Sequence, residues 1–180
     1  IVGAACDAPR IPGIQVELSD GDSYDLGKAR ARVIEVPGHT SGHIAYWFEG
    51  SDVLFCGDTL FALGCGRVFE GTMRQMWTSL ARLRELPDSA RVFCAHEYTQ
   101  ANARFAETVD PENPALADRI AEIDAMRARG EPTVPSLLGV EKATNPFLRA
   151  DDPALAARMG LAGGDAISVF AEVRGRKDNF

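Results

Sequence analysis

Three short strings in the sequence contain side chains that could bind metal ions. The strings PGHTSGH, CGDTLF and AHEY contain His39, Asp58 and His96. Neutral imidazole and carboxylate are ligands that Zn²⁺ and similar metals prefer. Because a carboxylate can bridge two metals, we predict that Asp58 is shared by two ions, with His39 on one and His96 on the other. Ions held about 3.5–4 Å apart can activate a hydroxide for hydrolysis.

A structural role for these histidines is the alternative. A single histidine after a strand is more often a hydrogen-bonded loop residue than a ligand, but three such glycine-rich loops weaken that interpretation. His39 and His43 are four residues apart, a spacing that could form a zinc-binding face on a helix. Pro37, Gly38 and Gly42 argue against a helix there, so His43 is not predicted as a ligand. Spacing alone leaves both interpretations open.

The four cysteines do not form a recognisable metal or disulfide motif. Cys6, Cys56, Cys65 and Cys94 show no CxxC spacing. We therefore predict reduced, mostly buried thiols in a cytoplasmic protein. Cys94 lies two residues before His96, but we do not predict a nucleophile because its context is apolar and no third orienting residue is evident.

The composition restricts the classes of partner. The chain has 180 residues, 46% of them hydrophobic, which is enough for one core with a smaller satellite domain. Its net charge of -7 argues against a nucleic-acid partner. No apolar run approaches the roughly 20 residues of a membrane helix, and no signal peptide opens the chain. We expect no membrane partner, and a monomer or weak dimer. The start at Ile1 rather than Met suggests a processed or truncated chain.

Each of the three strings follows a predicted strand, where open α/β sheets present functional groups. Alternating or apolar β-rich runs predict the strands at 15–18, 31–36, 44–48, 53–56 and 91–94. Segment 53–56 is almost entirely apolar, which is typical of a strand buried on both faces.

Helices are predicted from residue 72 onward. The string TMRQ at 72–75 is typical of a capping box. An apolar core stripe then follows at helical spacing: Met73, Met76, Trp77, Leu80 and Leu83. A second stripe consists of Tyr98, Ala101, Phe105 and Val109, and a third of Leu116, Ile120 and Ile123. Prolines indicate an irregular stretch over 132–146, and a last helix is predicted over 165–174. Strands followed by helices predict an α/β (α+β) layer domain over 1–97 and a helical domain over 98–180.

From about Val33 to Phe180 the sequence resembles glyoxalase II (hydroxyacylglutathione hydrolase), of the metallo-β-lactamase superfamily. The GDT of CGDTLF is shared across that superfamily. More specific strings are GDTLF followed by GCGR and EGT, CAHEYT, GEPTVPS, NPF and the ending RGRKDNF.

The resemblance implies a metallo-β-lactamase-like αββα sandwich followed by an α-helical domain. It implies that His39 binds the first metal, Asp58 bridges both and His96 binds the second. The implied cofactors are two divalent ions, with zinc favoured and iron or manganese suited to the same ligands. The implied reaction is hydrolysis of S-D-lactoylglutathione to glutathione and D-lactate by a metal-bridging hydroxide.

The resemblance also implies glutathione contacts from Arg67, Tyr98, Arg174 and Lys177. The family often has Lys where this chain has Arg67, which keeps the charge with a different geometry. It often has Tyr where this chain has Phe69, so a hydroxyl that could contact the substrate is absent. Cations near the end of a helix could instead only complement its dipole.

The family's T-H-x-H-x-D-H string, which supplies the remaining metal ligands, would lie ahead of Ile1 and is absent. We therefore expect an N-terminally truncated sandwich with an exposed apolar edge and face. This chain alone should bind at most one metal, weakly, and be inactive. The alternatives are another superfamily hydrolase, an iron persulfide dioxygenase, and a non-catalytic fragment that binds glutathione.

Overall fold

The computed structural model describes residues 1–180 and shows strands first and helices second. The strands are β1 (Val2–Ala4), β2 (Val16–Leu18), β3 (Ser23–Leu26), β4 (Ala29–Glu35), β5 (Ile44–Phe48), β6 (Val53–Gly57), β7 (Leu60–Phe61), β8 (Gly64–Cys65), β9 (Arg91–Cys94) and β10 (Ser136–Leu137). The α-helices are α1 (Met73–Arg84), α2 (Thr99–Val109), α3 (Pro114–Ala128), α4 (Leu138–Thr144), α5 (Pro153–Arg158) and α6 (Ala166–Asp178). Short 3-10 helices occupy Ala5–Arg10, Glu49–Ser51 and Pro146–Leu148.

One six-stranded sheet organises the chain, in the order β10-β9-β6-β5-β4-β3. Its pairs are antiparallel except β6 with β9, which are parallel and joined through α1. Strands β4, β6 and β9 therefore run in the same direction, and their C-terminal ends lie at one end of the sheet. The loops that follow these three strands carry His39, Asp58 and His96.

The helix-covered face of the sheet forms the main core. Trp47, Leu54 and Val92 are paired across β5, β6 and β9 and are buried in the cluster that includes Leu80 and Leu83 of α1. The same cluster continues into the helical region, where Phe147, Phe170 and Val173 are fully buried.

The opposite face carries an aromatic row and corrects the prediction for 53–56. Phe55 is 44% exposed, so β6 is not buried on both faces. Its ring lies 5.1 Å from that of Phe93 and 5.9 Å from that of Phe48. The apolar side chains on this face of β6 thus belong to an exposed aromatic row. Composition alone cannot distinguish such a row from a buried strand face.

Helix α1 follows the sequence prediction closely. Thr72 and Gln75 form the predicted capping box, with the Thr72 hydroxyl accepting from Gln75 N–H. The predicted stripe is buried at Met76, Trp77, Leu80 and Leu83, while Met73 packs at its margin.

Other helical predictions need correction. The stretch 132–146 contains α4, whose seven residues include Gly139 and lack a helical apolar stripe. That helix is stabilised by a tertiary contact, because the carboxylate of Glu141 accepts the N–H of Leu63 at 2.8 Å. Tyr98, the N-cap of α2, and Ala101 within the helix are exposed, and Asn102 is buried instead.

The ends of the remaining elements differ modestly. Helix α6 begins after its N-cap Asp165, as predicted, but continues four residues beyond Arg174. Strands β3, β7, β8 and β10, helix α5 and the three 3-10 helices are not among the predicted elements. No helix combines the length and apolar character needed to cross a bilayer.

Candidate metal centre

The three predicted ligands converge at the end of the sheet. The carboxylate of Asp58 lies between two imidazoles: its Oδ1 is 3.3 Å from the Nε2 of His96, and its Oδ2 is 3.7 Å from the Nε2 of His39. Each oxygen of one carboxylate therefore faces a different ring nitrogen. That is the arrangement expected of a ligand shared between two sites.

The other ring nitrogen of His39 is occupied. Its Nδ1 donates to the backbone carbonyl of Arg67 at 2.8 Å. This contact places the proton on Nδ1 and leaves the lone pair of Nε2 directed toward Asp58, as metal-binding histidines require.

The donor set fits a metal ion by two further observations. The Oδ1 of Asp58 is buried without a hydrogen-bond partner, although it lies only 3.3 Å from His96 Nε2. Two ligands on one tetrahedral zinc, each about 2.0–2.2 Å from the ion, lie about 3.4 Å apart. No three His, Cys, Asp or Glu side chains of this chain surround one point.

His43 lies behind this centre rather than in it. Its Nε2 accepts the backbone N–H of Asp58 at 3.2 Å. Burial, and secondarily the charge of His39, lowers the pKa of His43. A neutral ring is consistent with a nitrogen that accepts a hydrogen bond.

All eight predicted site residues line one pocket of about 520 Å³. They are His39, Asp58, Arg67, Phe69, His96, Tyr98, Arg174 and Lys177. Four further residues line the pocket and are not among the predicted site residues: Phe61, Cys65, Gly66 and Asn102. Three of these lie within the family strings GDTLF and GCGR, which could have indicated them. Asn102 gave no such signal.

Aromatic rings border the candidate metal centre. Tyr98 stacks on His96, with ring centroids 5.0 Å apart and an interplanar angle of 18°. The ring centroid of Phe61 lies 5.5 Å from that of Tyr98, and the ring centroid of the exposed Phe69 lies 5.1 Å from that of His39. Position 69 carries no hydroxyl, so it can offer a substrate only an apolar surface.

Three cations lie on the helical side of the pocket. Arg174 is only 3% exposed and donates to Cys65 O at 3.0 Å and to Asp178 at 2.9 Å. Arg67 is mostly exposed and lies 3.5 Å from the same Asp178. Lys177 donates to Ala101 O at 3.2 Å. Asp178 therefore pairs with two of the three cations, Arg67 and Arg174. The pocket lining holds these three cations and one carboxylate, Asp58, so positive charge is in excess.

The cysteines near the site are unsuited to nucleophilic catalysis. All four thiols are free; Cys56 and Cys65 are buried as predicted, whereas Cys94 is half-buried and Cys6 is exposed. Cys94 donates to the carbonyl of His96 at 3.3 Å, and burial raises its pKa. A raised thiol pKa keeps sulfur protonated at neutral pH, which removes its nucleophilic form.

Two family models match consecutive parts of the chain. The model "Metallo-beta-lactamase superfamily" matches residues 4–96. The model "Hydroxyacylglutathione hydrolase C-terminus" matches residues 97–180.

Individual proteins extend this similarity over the whole chain. The hydroxyacylglutathione hydrolases of Methylococcus capsulatus and Rhodospirillum rubrum are 61% and 57% identical over 180 residues. The chain spans 70% of the length of each. Among solved structures, the BLEG-1 B3 metallo-β-lactamase aligns with a TM-score of 0.55 at 19% identity, covering 82% of this chain and 64% of that one. The di-iron-bound form of TTHA1623 aligns with a TM-score of 0.52 at 23% identity and the same coverage. These two likenesses concern the fold alone.

Proposed function

This chain belongs to the hydroxyacylglutathione hydrolase (glyoxalase II) family of the metallo-β-lactamase superfamily, and we propose that it carries out the family's thioester hydrolysis. The reaction is S-D-lactoylglutathione plus water giving glutathione and D-lactate. The observation that carries this proposal is the position of Asp58, whose two oxygens each face one imidazole at the wall of a cationic pocket. The predicted fold class, a metallo-β-lactamase domain followed by helices, is confirmed by the family matches.

The family binds divalent metal, and two ions are the proposed number. His39 and Asp58 would hold one ion, and His96 and Asp58 the other. Zinc is the proposed metal because the donors are imidazole nitrogens and a carboxylate, although iron and manganese accept the same donors. When bound, such ions lower the pKa of water and polarise a carbonyl oxygen.

The cations of the pocket suit the substrate's other end. The glutathione part carries two carboxylates, and Arg67, Arg174 and Lys177 supply positive charge on the helical side of the pocket. Arg67 is the most exposed of the three cations and can reach a ligand without losing a buried partner. Binding of the glutathione carboxylates to these cations would orient the thioester toward Asp58 and the proposed metal ions.

The side chains of the protein would act mainly by orientation. The Arg67 carbonyl holds the ring of His39 through Nδ1 so that Nε2 faces Asp58, and Tyr98 supports the ring of His96 by stacking. No protein nucleophile is needed, and the glutathione thiolate leaves readily without a strong general acid.

The test is an assay of the metal-loaded full-length protein and of this chain with S-D-lactoylglutathione. We expect turnover by the full-length protein that chelation abolishes and zinc restores. Oxygen consumption with glutathione persulfide would instead indicate a persulfide dioxygenase. Glutathione binding without turnover of either substrate would indicate a non-catalytic protein.

A further inference from the structure

We infer that His43 is a positioning residue for Asp58, a role that rests on the proposed metal site. The Nε2 of His43 accepts the backbone N–H of Asp58 at 3.2 Å. His43 itself does not face the pocket, whose lining includes His39, Asp58 and His96. Its effect on the centre would therefore pass through the backbone of Asp58.

The sheet brings these two residues together. His43 comes directly before β5 and Asp58 directly after β6, and these strands are antiparallel neighbours. On the other side of the loop, the N–H of Ala95 donates to the carbonyl of Gly57 at 3.1 Å. The peptide leading into Asp58 is thus held from two sides, by His43 and by the residue preceding His96.

Gly57 shows how closely the ring approaches this peptide. Its φ of +52° lies in the left-handed region, which favours glycine. A Cβ added to Gly57 would lie 2.5 Å from the Cε1 of His43. The ring of His43 therefore occupies the space that any other side chain at position 57 would need.

The same ring also borders the first ligand. The ring centroids of His39 and His43 are 6.0 Å apart with an interplanar angle of 65°. His43 thus fills the volume behind both His39 and Asp58. Removing the acceptor would leave the Asp58 N–H without its partner and allow the carboxylate to turn away from one or both imidazoles.

Ser79 of α1 offers a matched control, because it supports the loop that carries His39 and His43. The buried hydroxyl of Ser79 donates to the carbonyl of Pro37 at 2.7 Å and so supports the loop from α1. Ser79→Ala removes one hydrogen bond from the loop without touching Asp58. It reports the cost of loosening the loop alone.

The first experiment measures zinc affinity by competition with a chromophoric chelator, together with the midpoint of thermal unfolding. His43→Leu should weaken zinc binding by about 10–100-fold, the range seen when partners of metal ligands are removed. His43→Gln places an acceptor oxygen near the former Nε2 and should restore most of the affinity. Ser79→Ala should lower the unfolding midpoint but leave zinc affinity within about twofold. Equal losses of affinity in His43→Leu and Ser79→Ala would overturn the proposal.

The second experiment uses the unmodified chain without metal, so it depends neither on variant folding nor on the proposed function. NMR should show the proton of the His43 ring on Nδ1 and slow hydrogen exchange at the Asp58 amide. A proton on Nε2, or an Asp58 amide that exchanges as fast as an exposed one, would contradict the role of His43. Failure to bind zinc with both NMR signatures present would contradict the metal site and leave the contact established.

Discussion

His39 and Arg67 are joined by a hydrogen bond between a ring nitrogen and the main chain, at 2.8 Å and across 28 residues of sequence. Because the acceptor is a carbonyl, the Arg67 side chain has no part in orienting the imidazole. Position 67 therefore contributes twice, with its backbone at the proposed metal centre and its guanidinium in the pocket. The two contributions can be separated by mutation.

Arg67→Ala in the full-length protein should raise KM several-fold and leave zinc affinity unchanged. Gly66→Ala, one residue earlier, should instead weaken zinc binding and change KM less. A Cβ at position 66 would lie 2.0 Å from the Asp58 carbonyl and 3.1 Å from His39 Nδ1, so both ligands would have to move. Zinc titration and steady-state kinetics of the two variants measure this contrast, and loss of zinc affinity in Arg67→Ala would contradict it.

Asp58→Ala should remove one ligand from both proposed ions. We expect metal content to fall and turnover to drop by several orders of magnitude, because neither His39 nor His96 would retain its shared partner. Elemental analysis and the thioester assay measure the two effects. Asp118→Ala, at an exposed carboxylate on α3, is the control and should leave both unchanged. Normal metal content and activity in Asp58→Ala would refute the bridging assignment.

Lys177→Met tests substrate recognition by charge. Its long stem is kept and only the ammonium is lost, so KM should rise about tenfold, on the order of 1.4 kcal/mol, with kcat less affected. Arg176→Met is the control, since Arg176 is exposed and pairs with Glu172. Arg174 is less informative, because its removal also leaves buried groups unpaired. Equal, small effects at 176 and 177 would favour a role in complementing the helix dipole.

Glu141 should make stability depend on pH. Burial raises the pKa of this carboxyl above its ordinary value of 4.5, so the folded state holds the proton more tightly than the unfolded state. The contribution of Glu141 to the free energy of unfolding is therefore fully present below pH 4.5. It is lost as the pH rises through the folded-state pKa. As the pH rises, the free energy of unfolding of Glu141→Gln should therefore increase relative to that of the unmodified protein. Urea unfolding between pH 4 and pH 8 tests this, and parallel curves for the two proteins would count against it.

Glu141→Ala is the companion variant at that position. It leaves the Leu63 N–H without its buried acceptor, at about 1–3 kcal/mol, whereas the Asn145 amide keeps the carbonyls of Phe61 and Gly64 as acceptors. The same urea experiment should show a clear loss of unfolding free energy at every pH.

Local patterns in the sequence predicted the parts of this fold that depend on neighbouring residues. The capping box at Thr72 and the strand before Asp58 follow from side chains only a few residues apart. Strand ends also predicted that the three ligand loops meet, since β4, β6 and β9 share a direction.

Features that depend on distant contacts could not be predicted in this way. Asn102 is a polar residue in a helix, and its burial follows from donating to the carbonyl of Ala62, 40 residues earlier. Arg174 was expected to face the substrate, but much of its hydrogen bonding is committed to Cys65, 109 residues earlier, and to Asp178. No periodicity in α2 or α6 indicates either contact, because the partners lie in other elements.

The position of Asp178 affects how quickly an anion can leave the pocket. Its carboxylate already accompanies Arg67 and Arg174, so an arriving anion must compete with an internal one for the same cations. The net gain on binding is smaller than the full charge pairing, and the internal pair forms again as the anion departs. Competition from Asp178 therefore lowers the affinity for the anion and speeds its release. Rapid release suits an enzyme that must release glutathione after every cycle.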